Sequence, residues 1–412
     1  MTPPRFSVLL PTKNRLDLLK GAIDTVRAQK YGDWEIVVAD NCSEDDVRGY
    51  VLGLDDARIV YTRSDEPLPV TDNWNRALDR STGSFVVMLG DDDGLVPGYF
   101  EHVQEALGEL NVPEMLYVGA YHFAFPGVIE VIPDGMLTDV TRYYSILRDC
   151  PTISMLAKAE ADAAARAALN LTAVYAFNMQ HFLISRRLID RLKATHGPFF
   201  QCPFPDFYAA NMMLLESESI GRIARPLVII GISPKSYGYF HFNDKEAAGA
   251  EFLQIDRQLS GGREGLAAAV LPGSNMNTSW LLSVAPIPAK LGRSDDLEIG
   301  MGRYRRLQIL NCIKISLLGG QAPGLTKLWS GLSWQERAFG VLAHMALLPC
   351  GLLPARYALR WGKISTLIAR QYGTLPPGLP APVVGKYQTM MEVFEGLRTA
   401  DSAPGEMSNR GA

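Results

Sequence analysis

The chain has 412 residues, of which 47% are hydrophobic and 20% charged, and its formal net charge at pH 7 is −4. These proportions are typical of a soluble globular protein with an ample core, and the net charge argues against a broad basic surface for nucleic acid. The five cysteines show none of the spacings of a zinc site or a disulfide framework. The N-terminus shows no apolar run as long as a signal peptide. We therefore expect a cytoplasmic protein.

From residue 6 to about residue 110, short apolar runs alternate with amphipathic stretches. The predicted strands are FSVLL, WEIVVAD, RIVYT and SFVVMLG, and helices are predicted over 16–29, from 44, over 72–80 and over 97–110. Strands rich in Val, Ile and Leu with helical crossovers predict a Rossmann-like α/β fold, a mainly parallel sheet flanked by helices. Right-handed crossovers bring the carboxyl ends of the strands to one edge, where ligands bind in such sheets.

The second half of the chain is less regular. Further strands are predicted over 115–125, 178–185 and 220–232, and helices over 141–148 and 206–215. We therefore take residues 1–240 as one α/β domain. After residue 245 the patterns turn helical, so residues 241–400 are predicted to form a helical accessory region and residues 401–412 a disordered tail.

The segment AFGVLAHMALLPCGLLP, at 338–354, is almost uncharged. Its length of about 17 residues is at the lower limit for a membrane span. Pro349 and Gly351 lie within it, and we favour a buried helix pair. Contact with a membrane interface is the alternative.

Three adjacent aspartates, Asp91, Asp92 and Asp93, follow the apolar strand SFVVML. Two unit charges about 4 Å apart interact by roughly 4 kcal/mol at an intermediate dielectric, so the cluster needs compensation. Mg²⁺ and Mn²⁺ prefer oxygen ligands, and Mg²⁺ is commonly held by carboxylates together with substrate phosphates. The pattern predicts a metal-bound diphosphate, and a solvated acidic turn ending at Gly94 is the alternative.

Other polar side chains are predicted to converge on the same sheet edge. Thr12 and Asn14 follow the first strand, and Asp40, Asn41 and Asp45 follow the second. A nucleotide is expected at such an edge.

Four motifs occur in order: PTKNR at 11–15, VVADNCSEDD at 37–46, DNWNRAL at 72–78 and VVMLGDDDG at 86–94. As a set they resemble the family 2 glycosyltransferases of the GT-A fold, over about residues 5–235. The resemblance implies a GT-A catalytic domain that transfers a sugar from a nucleotide-sugar donor to an acceptor hydroxyl with inversion. It also implies Mn²⁺ or Mg²⁺ as cofactor.

The resemblance assigns roles to the first two loops and to the aspartates. Contacts with base and ribose map onto Thr12, Asn14 and Asp40, with Arg15 and Asn41 beside them as further donor-binding residues. The metal motif maps onto Asp91–Asp93, with a register open by one residue. Asp93 is the first choice for direct metal coordination, Asp91 is expected on the ribose or on metal-bound water, and Asp92 is expected at the substrate.

A general base is implied in the acceptor half, and the matching candidate is Asp206 in CPFPDFYAANMML. Its plain alternative is a helix N-cap. His241 could complete the metal shell, or it could be a packed or surface neighbour of aromatic residues. Lys235, in the same loop, is a candidate diphosphate contact because its ammonium complements phosphate.

Asn73 and Arg76 in DNWNRAL are candidate nucleotide contacts. Alternatively, Arg76 simply lies on the solvent-exposed face of its helix.

Many relatives in this family build surface polysaccharides or glycolipids on membrane-attached acceptors. We therefore expect a glycan or lipid-linked acceptor, a UDP-sugar as the default donor, and contact with the inner face of the membrane as a peripheral protein. Two other functions stay open. A nucleotidyltransferase is disfavoured because no Gly-rich phosphate loop follows the first strand, and a degenerate, non-catalytic sugar-nucleotide-binding protein is disfavoured by the intact acidic cluster and Asp206.

Overall fold

The computed structural model describes residues 5–129, 133–236, 270–317, 325–351 and 382–402. His241, the end of the apolar segment from residue 352 and the tail from residue 403 lie outside the described residues.

Eleven strands occur in the described part of the chain. They are β1 Phe6–Thr12, β2 Trp34–Asp40, β3 Ile59–Arg63, β4 Phe85–Met88, β5 Gly94–Leu95, β6 Met115–Ala124, β7 Gly135–Asp139, β8 Ile153–Leu156, β9 Phe182–Ser185, β10 Ile220–Ile232 and β11 Val383–Tyr387.

Helices occupy most of the remaining described residues. They are α1 Leu16–Arg27, α2 Val47–Gly53, α3 Val70–Arg80, α4 Tyr99–Glu109, α5 Ser145–Arg148, α6 Lys158–Leu169, α7 Arg186–His196, α8 Pro205–Glu216, α9 Asn275–Val284, α10 Ile287–Lys290, α11 Met301–Leu317, α12 Leu325–Ser330, α13 Trp334–Gly351 and α14 Met390–Ser402.

A single central sheet, in the order β11-β7-β6-β9-β4-β1-β2-β3, confirms the predicted α/β architecture with flanking helices. Strands β3, β2, β1 and β4 are parallel. Strand β9 interrupts this parallel run, because it lies antiparallel to both β4 and β6, and β10 then pairs with β6 in parallel. Strand β6 then pairs with β7 antiparallel through a connection without a crossover helix, as antiparallel neighbours allow. The sheet is therefore parallel in its N-terminal half and mixed beyond it.

The sheet separates two hydrophobic clusters. Leu9 and Val37 face the cluster that contains α3, α6 and α8, whereas Val8 and Val38 face the cluster that contains α1 and α4. Successive side chains of a strand point to opposite faces, and β1 and β2 are buried along their whole length. This burial on both faces explains why these strands are nearly continuous apolar runs rather than alternating ones.

The described part of the C-terminal region is mostly helical, as predicted, and although some of its helices form a small cluster of their own, others share the core of the α/β part. Trp280 of α9 and Tyr304 of α11 belong to the same cluster as Phe207 of α8. Strand β11 joins the central sheet by pairing with β7, and Met390 of α14 packs against α1 at Gly21. Described residues before and after the predicted boundary at residue 240 therefore share hydrophobic clusters, and residue 240 itself lies outside the described residues.

The prediction of a buried helix pair over 338–354 is wrong for the described part of that segment. Residues Trp334–Gly351 form one helix, α13, which runs through Pro349. One side of α13 packs on α11 through Phe339, Ala343 and Leu347, and the opposite side presents large apolar side chains to solvent. The apolar composition of this segment specified a helix, but α11 covers only one side of that helix.

Candidate active site

Asp91 is held by two residues from the end of β1 and the loop after it. Thr12 Oγ1 donates to Asp91 Oδ2 at 2.9 Å, and Arg15 Nη1 donates to Asp91 Oδ1 at 2.9 Å. Both side chains of the Arg15–Asp91 ion pair are almost fully buried. Thr12 and Arg15 were predicted at this edge as nucleotide contacts, and in the structure both point at the acidic cluster.

Asp92 and Asp93 are held by residues from distant parts of the chain. Ser233 Oγ donates to Asp92 Oδ2 at 2.8 Å. Asp93 Oδ1 accepts from the backbone N–H of Gly231 at 2.8 Å, and Asp93 Oδ2 accepts from Gly90 N and from the Gln180 side chain. The solvated acidic turn considered as the alternative is thus excluded, because all three aspartates are buried.

Burial changes the protonation of this cluster. Withdrawal from water, with Asp91 beside it, raises the pKa of Asp92 to about 6. Burial, with the neighbouring Asp92, raises the pKa of Asp93 to about 7. Burial alone would lower the pKa of Arg15, but the three carboxylates together raise it. The Arg15 guanidinium therefore supplies part of the charge compensation that the sequence argument assigned to a metal ion alone.

The oxygen atoms around Asp93 suit a hard divalent cation. Gln180 Oε1 is buried and has no hydrogen-bond partner among the described residues, and its amide lies against the Asp93 carboxylate. No group of three or more His, Cys, Asp and Glu side chains is arranged as a metal site within the ranges that the structure describes. Mg²⁺ needs only one or two carboxylates when substrate phosphates supply further oxygens. Asp93 and Asp91 therefore fit a metal site that is shared with a substrate phosphate, but not a site in which the protein supplies every ligand.

Asp40 ends β2 beside Thr12, with which it is in register. Its side chain is fully buried, and Tyr61 Oη and Arg63 Nη1 donate to Oδ2 at 2.7 and 3.1 Å. The Ser43 N–H donates to Oδ1 at 2.9 Å. The carboxylate predicted to meet base and ribose thus organises the ends of β2 and β3, and it places the phenol of Tyr61 and the half-exposed guanidinium of Arg63 at the same edge.

Asn41, Asn73 and Arg76 form a second layer under this edge. Both polar atoms of the Asn41 amide bond the backbone of Leu68, which fixes the loop before α3. Asn73 Nδ2 donates to the Ala39 carbonyl at 3.0 Å. Arg76 donates to the Asp40 carbonyl at 2.7 Å and to the Asn73 side chain. The alternative prediction, that Arg76 lies on the solvent-exposed face of α3, is wrong, because its guanidinium points back at the end of β2.

Asn14 and Lys235 lie at the open side of the cluster. Asn14 is exposed, has a φ of 55° and accepts from the Glu44 N–H at 2.7 Å. Lys235 pairs with Asp17 at 3.2 Å, and its carbonyl accepts from Arg15. The loop after β10 therefore reaches the loop after β1, and the Lys235 ammonium stays near solvent beside the buried aspartates.

Asp206 lies in the first turn of α8, but the N-cap position belongs to Phe204. Its Oδ1 accepts from the adjacent Phe207 N–H at 3.0 Å. Burial raises the pKa of Asp206 to about 7. The N-cap interpretation is therefore wrong, and the carboxyl has the proton affinity of a group that can accept a proton at neutral pH.

A short segment joins the Asp206 region to the acidic cluster. Burial, Tyr117 and the Asp206 carboxylate raise the pKa of Tyr175, so Asp206 lies within electrostatic range of the Tyr175 phenol. Gln180, five residues along the chain, donates to Asp93. Five extended residues span at most about 18 Å, so Tyr175 and Gln180 lie within that distance of each other along the chain.

Sequence reasoning missed Tyr61, Arg63, Gln180, Gly231 and Ser233. Tyr61 and Arg63 could have been found, because they end the third parallel strand at the same edge. The other three come from β10, the loop after it and the turn before β9, where nothing local marks a contact with Asp91–Asp93.

Comparison with known proteins assigns the N-terminal part of the chain. Residues 7–123 match the family model described as glycosyl transferase family 2. A Campylobacter jejuni GalNAc(5)-diNAcBac-PP-undecaprenol beta-1,3-glucosyltransferase is 38% identical over 109 residues, which are 26% of this chain and 35% of that protein.

Two Escherichia coli proteins are similar over the same region. The putative colanic acid biosynthesis glycosyl transferase WcaA is 30% identical over 29% of this chain and 43% of its own length. The UDP-Glc:alpha-D-GlcNAc-diphosphoundecaprenol beta-1,3-glucosyltransferase WfgD is 31% identical over 21% of this chain and 34% of its own. The chain thus spans well under half the length of the relatives that it matches.

The family match covers β1 to β6 and includes every residue that forms the acidic cluster and its Thr12 and Arg15 partners. Over residues 7–123, the chain is therefore similar to the proteins of glycosyl transferase family 2.

Proposed function

We propose that the protein transfers a sugar from a nucleotide-sugar to a hydroxyl group of a glycan or lipid-linked acceptor, with inversion at the anomeric carbon. The observation that supports it most is the pairing of two acidic centres. One is the buried aspartate cluster within the family-matched segment, and the other is Asp206, whose pKa is raised to about 7.

In the proposed reaction, the acceptor oxygen forms a bond to the anomeric carbon while the bond from that carbon to the diphosphate oxygen breaks. The acceptor proton passes to Asp206, and the nucleoside diphosphate leaves. A general base is most effective when its pKa lies near the working pH, and the raised pKa of Asp206 meets this condition.

The proposed donor lies along the carboxyl ends of β1, β2 and β4. Asp93, with Asp91 beside it, would hold Mn²⁺ or Mg²⁺, which supplies charge neutralisation for the departing diphosphate. Arg15 pairs with Asp91 and orients it, and Lys235 offers a second cation at the open side. Tyr61 and Arg63, ordered by Asp40, are suitably placed for the nucleoside.

The nature of donor and acceptor is proposed from the relatives. WfgD is named for UDP-Glc and for a diphosphoundecaprenol-linked acceptor, and the Campylobacter jejuni relative for a PP-undecaprenol-linked glycan. We therefore propose a UDP-sugar and a lipid-linked glycan acceptor, met by the protein at the inner face of the membrane.

Calorimetric binding of UDP, GDP and dTDP, with and without Mn²⁺, tests the donor site. We expect one nucleotide to bind in a Mn²⁺-dependent manner and Asp93→Ala to abolish the binding. Asp79→Asn, which removes an exposed carboxylate of α3, is the matched control and should bind as the parent protein does. Failure of all three nucleotides to bind would contradict the proposal.

Asp206→Asn tests the proposed base. We expect loss of sugar transfer with nucleotide affinity retained, because the amide keeps the size of the carboxyl but cannot accept the acceptor proton. Retained turnover in this variant would remove Asp206 from the mechanism while leaving the donor site intact.

A further inference from the structure

The outward side of α13 is an uninterrupted apolar surface. Its large exposed side chains, here called the α13 stripe, are Trp334, Val341, Leu342, Met345 and Leu348. Trp334, Leu342 and Met345 are 76%, 66% and 64% exposed. Their spacing puts them on one helix face, and residues 338–348 contain no Asp, Glu, Lys or Arg. A contiguous exposed apolar surface of this kind marks an interaction site.

Charge is distributed very unevenly around this surface. Residues 301–381 contain ten Lys and Arg against one acid, Glu336, which is a net charge of +9. The whole chain has a net charge of −4, so the remainder has a net charge of −13. Helices α11 and α13, which the structure describes, contain five basic residues and one acid, Glu336, which pairs with Arg305 at 2.6 Å.

A helix with an apolar face, in a part of the sequence rich in Lys and Arg, is typical of helices that lie in the interface of an anionic membrane. The two tryptophans support this assignment, because indole rings favour the headgroup level. Trp334 belongs to the stripe, and Trp329, on α12, is 47% exposed beside it. A second copy of this chain is a poorer occupant, since two surfaces of the same positive sign repel each other.

None of the described helices is both long and apolar enough to cross a membrane. The α13 stripe is therefore suited to lie on a membrane rather than to span it.

We propose that the α13 stripe docks the protein on an anionic lipid surface. The stripe inserts its apolar side chains at the headgroup level, and the basic residues of α11 and α13 contact the lipid phosphates. Docking of this kind requires neither nucleotide nor acceptor, so it goes beyond the proposed sugar transfer.

Hydrogen bonds connect the docking helix to the helix that bears Asp206. Arg305 of α11 bonds Glu336 of α13, and Gln308 of α11 bonds Thr278 of α9 at 3.0 Å. Ser283 of α9 accepts from the backbone N–H of Phe204, at the start of α8, at 2.9 Å. Docking through α13 consequently fixes the orientation of Asp206 relative to the lipid surface.

Cosedimentation of the purified full-length chain with lipid vesicles tests the proposal. We expect binding to vesicles of phosphatidylglycerol and phosphatidylcholine in roughly equal parts, and binding at least about tenfold weaker to phosphatidylcholine alone or at high salt. Equal binding to neutral and anionic vesicles, or no binding to either, would overturn it.

A matched pair of double variants locates the surface. Leu342→Glu with Met345→Glu adds two charges to the α13 stripe, and Leu52→Glu with Met155→Glu adds the same two charges at exposed apolar positions on α2 and β8. We expect the stripe variant to lose vesicle binding at least about tenfold more than the control. Equal losses in the two variants would overturn the assignment to α13.

Two further measurements separate the alternatives. Nucleotide binding by the stripe variant, measured by calorimetry, should match that of the parent protein and so show an intact fold. If light scattering shows that the parent protein is a dimer and that the stripe variant is a monomer, a second copy covers the stripe and the lipid proposal is wrong.

Discussion

Gly231 of β10 lies directly against the backbone of Asp92. A Cβ at position 231 would stand 1.8 Å from the Asp92 carbonyl oxygen, while the Gly231 N–H donates to Asp93 Oδ1. The strand thus approaches the acidic loop so closely that no side chain fits between them, and one of its amides orients the carboxylate proposed to hold the metal.

Gly231→Ala is therefore expected to displace the acidic loop. We expect a loss of about 2 kcal/mol or more in the free energy of unfolding, by analogy with overpacked cores, together with loss of Mn²⁺-dependent nucleotide binding. Urea unfolding and calorimetry measure the two effects. Gly108→Ala in α4, where a Cβ would meet nothing, is the control and should be neutral or stabilise by up to about 1 kcal/mol. If both variants changed stability and nucleotide binding by similar amounts, the close approach of β10 to the acidic loop would be refuted.

Arg15→Met is expected to destabilise the protein by about 3 kcal/mol at neutral pH, because it leaves the buried Asp91 without its cation. The control is Lys193→Met, which breaks the exposed ion pair with Asp79 and should cost less than about 1 kcal/mol. Urea unfolding compares the two. An equal loss in both variants would mean that the Arg15–Asp91 pair is no more important than a surface pair.

Asp206→Asn should make the protein more stable at neutral and alkaline pH. The pKa of Asp206 is about 7 in the folded chain against an ordinary value of 3.8, so the stability associated with the neutral carboxyl is present below about pH 4 and lost as the pH rises to about 7. The amide avoids this loss. We expect a difference from the parent protein of about 2 kcal/mol near pH 8 that vanishes near pH 4.

Urea unfolding at the two pH values measures this difference. Asp79→Asn, at an exposed position on α3, should change stability by less than about 0.5 kcal/mol at either pH. A difference for Asp206→Asn that does not depend on pH would contradict the burial of this carboxyl.

Gln180→Glu places a fourth carboxylate against Asp93. Without metal, we expect a loss of about 2 kcal/mol in the free energy of unfolding through like-charge repulsion, and Mn²⁺ should restore most of it. Thermal unfolding with and without Mn²⁺ gives the result. Gln104→Glu, on α4 where the Gln104 amide donates to Tyr31 Oη rather than to an aspartate, should show no Mn²⁺-dependent recovery. Absence of recovery for Gln180→Glu would argue against a metal at Asp93.

The architecture of the first half of the chain was predictable because each signal is local. Strands β1, β2 and β4 are short apolar runs followed by polar residues, and α1 repeats its apolar residues with helical spacing. Beyond residue 130, β7, β8, α6 and α7 were not predicted. Strand β8 has only four residues, and α6 is an alanine-rich helix with little contrast between its faces.

The sequence by itself determined the parallel half-sheet, the edge at which Thr12, Asp40 and Asp91 meet, and the family resemblance, because these depend on residues close together in the chain. Only the tertiary structure decided that Arg15 pairs with Asp91, that β10 and the loop after it bring Gly231 and Ser233 onto the aspartates, and that partial burial raises the pKa of Asp206. The same holds for the exposed side of α13. Each of these features depends on segments that are far apart in sequence. The burial that shifts the pKa values exists only once these segments have packed together.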